Sequence, residues 1–125
     1  MTTFAGFALC ALLGAVGAVA RYVVMAVLPE SVRTSGLFIV NASGSLIAGA
    51  ALGLAHAGAI DSEAALAILS FAAGFTTLST MAVSAAQSIG RGHAWRGLAI
   101  AALHIAGGVF CAGVGYNLVG ALLAA

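Results

Sequence analysis

Residues 70–81, Ser-Phe-Ala-Ala-Gly-Phe-Thr-Thr-Leu-Ser-Thr-Met, place the hydroxyls of Thr76, Thr77, Ser79 and Thr80 in a long apolar stretch that carries no charge. Such hydroxyls do one of two things. In a continuous helix they bond back to carbonyls one turn earlier; at a break they accompany freed backbone groups that line a polar path or an ion site. The Ala72-Ala73-Gly74 step just before them is where the backbone can depart from regular helix. Three further polar side chains lie in apolar surroundings: Arg21, Asn41 and His104. Asn41 shares a helix face with Ser45, four residues on. Its amide either bonds a neighbouring helix or serves as a neutral donor that replaces water around an anion. His104 either bonds a neighbouring helix or lines a pore. Arg21 either snorkels to an interface beside Glu30 and Arg33 or shapes an anion vestibule as a buried cation.

Other chemistry lacks its parts. Glu30, Asp61 and Glu63 all fall in predicted loops, which leaves no intramembrane carboxylate to act as base, proton carrier or metal ligand. His56, His93 and His104 lie at different predicted depths without metal-ligand spacing. No serine, histidine and acid can be placed together at one depth. An enzyme is therefore not expected, nor is a nucleic-acid partner.

The elements that position these residues follow from composition. The chain has 125 residues, 63% of them hydrophobic and only 6% charged, with 17 glycines and one proline. A soluble domain carries about 25% charged residues, so an all-α integral membrane protein is expected. There is room for four spans of roughly 20 residues in a single domain. The apolar runs put them at about 4–28, 36–57, 64–89 and 97–122. Ala18-Val19-Ala20 has the look of a signal-peptidase site, but no basic residue precedes the apolar run and hydrophobicity continues past Arg21, so a retained helix is expected. Gly14, Gly17 and Ala18, and the Gly49–Gly53 pair, supply small faces for close helix packing. Cys10 and Cys111 read as small packing residues, and Trp95 as an interfacial anchor.

With four spans, the first and third loops share one side of the membrane, and the second loop shares the other with both termini. Arg33, Arg91 and Arg96 lie on the first side with Arg21 near it; the other carries Asp61, Glu63 and His56 but no arginine or lysine. Basic loops stay cytoplasmic, so both termini are expected to be extracytoplasmic, in the cell membrane.

The sequence resembles the small fluoride channels of the CrcB/Fluc family. The resemblance rests on Gly14-Ala-Val-Gly-Ala-Val-Ala-Arg21-Tyr22, on Gly36-Leu-Phe-Ile-Val-Asn41-Ala-Ser-Gly44, on Gly74-Phe-Thr-Thr-Leu-Ser-Thr80, and on the glycine-rich fourth span. It implies four helices with the third broken at mid-membrane, an antiparallel dual-topology-type dimer with two fluoride pores, and a structural, untransported Na⁺ at the dimer centre. Carried over by motif, the sodium carbonyls come from Ala73 and Thr76. Asn41 becomes the pore amide, Ser79 and Thr80 the hydroxyls beside the pore, and Arg21 the vestibule arginine. Carbonyls freed at a helix break also suit a hard cation on physical grounds.

Departures from the family pattern are as informative. Leu78 and Met81 stand where the family has two phenylalanines whose electropositive ring edges line the fluoride path. Ala73 replaces a usual glycine, His104 stands near a frequent tyrosine, and Gly108 near a frequent serine. A homodimeric antiparallel channel inserts one chain both ways and needs a balanced charge distribution, whereas this chain is strongly biased. The expectation is one half of a two-component pair that exports fluoride from the cytoplasm with a dissimilar, antiparallel sibling, favoured over a homodimer. The alternatives are a non-conducting assembly subunit and, from another class, a small multidrug-type antiporter. The antiporter needs an intramembrane carboxylate that this chain lacks.

Overall fold

A computed structural model describes residues 4–124 and is all-helical over them, without a strand among the described residues. Helix α1 spans Phe4–Val27, a 24-residue run that ends where Pro29 removes a backbone donor. A 3₁₀ turn, Glu30–Val32, leads into α2, Arg33–His56. The second connection turns through Gly58 at φ +70°, and Asp61 then caps α3, its carboxylate accepting the Ala64 N–H at 2.8 Å. Helix α3 runs Ser62–Phe75, α4 runs Leu78–Gly90, and α5 runs Ala94–Leu123. At 1.5 Å per residue α1 and α2 are each about 36 Å long, enough to cross a hydrocarbon core of about 30 Å. The apolar segments Phe4–Val27, Glu30–His56, Ser62–Gly90 and Ala94–Leu123 are all long and apolar enough to span a membrane.

The third of these segments is broken at its centre, between α3 and α4. The sequence offered Ala72-Ala73-Gly74 as a step where the backbone can depart from regular helix, and the structure places the departure elsewhere. Those three residues remain helical, and the chain leaves the helix two residues later, at Thr76 (φ −79°, ψ 161°) and Thr77 (φ −148°, ψ 118°). Both are β-branched residues, comfortable in extended backbone.

Helix α2 is central. It packs along α5 and against α3, while α1 packs on α3 and α4 packs on α5. The contact surfaces are built from small residues: Gly17, Gly36, Gly44, Gly49, Gly53, Gly97 and Gly115 are buried, with Ala51, Ala65, Ala72 and Ala85. In lipid, acyl chains are as apolar as leucine, so close backbone approach drives helix association. Large apolar side chains such as Phe7, Val19, Leu103 and Val109 instead point outward.

Candidate functional site

The site is built around the break. In a continuous helix the Thr77 N–H would donate to the Ala73 carbonyl. It donates instead to Asn41 Oδ1 at 2.8 Å, while Asn41 Nδ2 donates back to the Thr77 carbonyl at 3.1 Å. One side-chain amide on α2 thus replaces a turn of helix, satisfying both backbone groups of the residue that leaves it. Each of those groups, left unpaired away from water, would cost about 1–3 kcal/mol. The second Asn41 N–H points to His104 Nδ1 on α5 at 3.2 Å, so the ring proton of His104 sits on Nε2. His104 is buried and packs edge-on against Phe38, with centroids 5.4 Å apart at 85°. Asn41 therefore ties three segments together, and its amide is engaged on every side within the chain.

The remaining ends of the broken helix find local partners. Thr76 Oγ1 donates to the Ala73 carbonyl at 3.2 Å, and the Thr76 N–H to Ala72 at 2.9 Å. Arg21 Nε donates to the Gly74 carbonyl at 3.4 Å, which sets a cation at the negative C-terminal end of α3. Arg21 is half-buried, and its side chain reaches the end of α3. On the other side of the gap, Thr77 Oγ1 caps α4 by accepting the Thr80 N–H at 3.3 Å. The same oxygen lies 3.1 Å from Ser79 Oγ and 3.2 Å from Thr80 Oγ1. These hydroxyls form a cluster and do not bond back to carbonyls four residues earlier, as Ser70 and Ser84 do.

Two clefts flank this arrangement. One, of about 390 Å³, is lined by Asn41, Thr76, Thr77, Leu78, Met81, His104 and Gly108. The other, of about 480 Å³, is lined by Arg21, Arg33, Tyr22, Leu37, Thr77 and Thr80. Thr77 borders both. Among the residues singled out in the sequence, Asn41, Leu78, Met81 and His104 share the first cleft, and Arg21 and Thr80 the second. Ser79 borders neither and reaches the site through Thr77. Leu78 and Met81 part company: Leu78 is 70% exposed, whereas Met81 is only 5% exposed and packs inward.

Thr77 itself is absent from the sequence-derived site, although it is the hinge of the geometry. Its signal was a threonine just before a helical run, the residue type of an N-cap. The Ala73 carbonyl, relieved of its backbone donor, lies on an exposed residue one turn from Thr76. Neutral carbonyl oxygens of this kind are the donor chemistry that suits a hard cation.

The sequence matches the family model described as CrcB-like protein, Camphor Resistance (CrcB), over residues 8–116. A search of curated proteins gives no match.

Proposed function

The chain belongs to the CrcB-like family, and from that premise we propose that it is a subunit of a fluoride-exporting channel that works with a dissimilar, antiparallel sibling. Family membership supports a fluoride-channel-type function and a multi-pass membrane protein that is not an enzyme. The observation that carries the finer reading is the broken span, held open by the Asn41 amide and bordered by two clefts that share Thr77 in their walls. Arg21 and Arg33 draw the anion into the cleft that they line. Thr77 and Thr80 then offer hydroxyl donors as water is stripped away, and the His104 Nε2–H, set by the Asn41 amide, continues the polar path. Neutral donors bind a small anion and still release it, whereas a fixed charge at the narrowest point would hold it.

The need for a sibling rests on two features. The arginines all lie toward one side, and the exposed Leu78 presents no ring edge beside the path. Fluoride efflux from vesicles is the test. This chain alone is expected to give little flux, and vesicles holding it with a sibling that carries the missing ring edges are expected to give rapid flux. Equal flux from the chain alone would end the pairing argument. No flux with the sibling present would favour the non-conducting assembly role.

Orientation is part of the same reading. With Arg33, Arg91 and Arg96 held in the cytoplasm, a reporter fused after the last helix is expected to behave as exported. A cytoplasmic or evenly mixed signal would overturn both the topology and the argument for a fixed pair.

A structural Na⁺ fits the residues present. Ala73 and Thr76 would hold it through their carbonyls at the dimer centre, where the ion would supply positive charge and tie the subunits together. Because backbone atoms make this site, Thr76→Ser is expected to leave sodium-dependent assembly almost intact. Ala73→Pro is expected to abolish it, since proline inside α3 costs about 3 kcal/mol and reshapes the break. Normal assembly of the proline variant, read by size-exclusion chromatography with and without sodium, would refute the assignment.

A further inference from the structure

Away from the break, a cleft of about 240 Å³ opens where the end of α4 meets the starts of α2 and α5. Arg91, His93 and Arg96 line it together with Ser84, Gln87 and Thr34, so its walls are mainly polar and its charge is of one sign. No acidic side chain among the described residues lines it. Glu30, the acidic residue of this end of the molecule, lies 3.7 Å from Arg33, which borders a different cleft. Asp61 and Glu63 lie at the start of α3, at the opposite end of the third span. The placement of Arg96 sharpens the imbalance. It sits in the first turn of α5, where the helix field is already positive and no acidic side chain or side-chain cap offsets it.

We propose that this cleft holds the phosphodiester headgroup of an anionic phospholipid. The two guanidinium groups meet the phosphate oxygens, and Ser84, Gln87 and Thr34 supply neutral hydrogen-bond partners for the rest of the headgroup. A basic pocket between membrane helices on the cytoplasmic side has the charge that anionic lipids seek. Free phosphate shares this chemistry, but the surroundings favour a lipid. Trp95, 81% exposed beside Arg96, suits the headgroup level of a bilayer. Leu98, on the next turn of α5, is 56% exposed and continues the outer surface toward the acyl chains.

The test is native mass spectrometry of the full chain from mixed micelles containing phosphatidylglycerol and phosphatidylcholine in equal parts. One phosphatidylglycerol is expected to stay bound to each chain in preference to phosphatidylcholine. The double variant Arg91→Gln/Arg96→Gln is expected to lower that retention about thirtyfold, at roughly fivefold per basic side chain. Arg33→Gln, in the other cleft, is expected to leave retention unchanged. A thermal melt of each variant separates loss of the lipid from loss of the fold. Should the double variant still melt near the parent temperature and retain the lipid, or should both lipids be held equally, the proposal fails. Displacement of the bound lipid by millimolar inorganic phosphate, with no preference between lipids, would assign the cleft to the free anion and overturn the lipid.

Discussion

Replacing Asn41 by aspartate is expected to cut fluoride flux by at least about a hundredfold, because a like charge about 4 Å from a passing anion costs roughly 4 kcal/mol at an effective dielectric of 20. The geometry makes the substitution harsher than its small size implies. Asn41 Oδ1 accepts the Thr77 N–H at 2.8 Å, and aspartate retains that bond. Asn41 Nδ2, however, faces two acceptors, the Thr77 carbonyl at 3.1 Å and His104 Nδ1 at 3.2 Å. A carboxylate oxygen there opposes the Thr77 carbonyl and draws the His104 ring proton to Nδ1, reversing that bond. The retained bond keeps Thr77 out of the helix, so assembly is expected to survive while conduction does not. Fluoride efflux from vesicles holding the paired channel, read beside size-exclusion profiles, checks both halves. Unchanged flux would reduce Asn41 to a tie between helices. Lost assembly would mean that the second N–H, not the first acceptor, holds the break open.

The contrast between those two halves also marks what the sequence could disclose. Membrane class and the number of spans were legible because each depends on composition over many residues. The residues alone left a break and a continuous helix equally open, and the break came from the family resemblance. Polar groups inside an apolar run are expensive, and so they are conspicuous. The position of the break was less legible. Gly74 suggested that the chain would leave the helix early, since glycine is the usual residue of irregular backbone. Gly74 stays helical because its lack of a side chain serves packing against α1, and the departure falls to Thr76 and Thr77. What stabilises that departure is Asn41, which is 36 residues earlier in the chain, and no local pattern records such a partner. For the same reason Thr77 was not counted as a site residue, and the sequence left both roles of Asn41 open. Likewise, Leu78 and Met81 look alike in the sequence, and only packing separates an outward side chain from an inward one.

Gly74 carries the second large effect: Gly74→Ala is expected to destabilise the fold by about 3 kcal/mol or more, at the upper end of ordinary overpacking. A Cβ on Gly74 would fall against the Gly14 carbonyl oxygen, 2.7 Å from its carbon and 2.9 Å from the Gly14 Cα. All three are backbone atoms, so no rotamer change relieves the clash, and α1 must move away as a unit. That movement also stretches the Arg21–Gly74 bond that neutralises the end of α3. Shortening the opposing residue offers no rescue, because Gly14 already lacks a side chain. The reverse substitution is a control with the opposite expectation. A Cβ on Gly14 would meet only the Ser70 carbonyl oxygen at 3.5 Å, an ordinary contact, so Gly14→Ala is expected to unfold close to the parent. Two glycines at one crossing, alike in the sequence, should thus differ sharply when denaturation midpoints are measured in the same detergent. Comparable midpoints for the two variants would show that α1 and α3 do not meet backbone to backbone at Gly74, and would remove the scaffold on which Arg21 reaches the break.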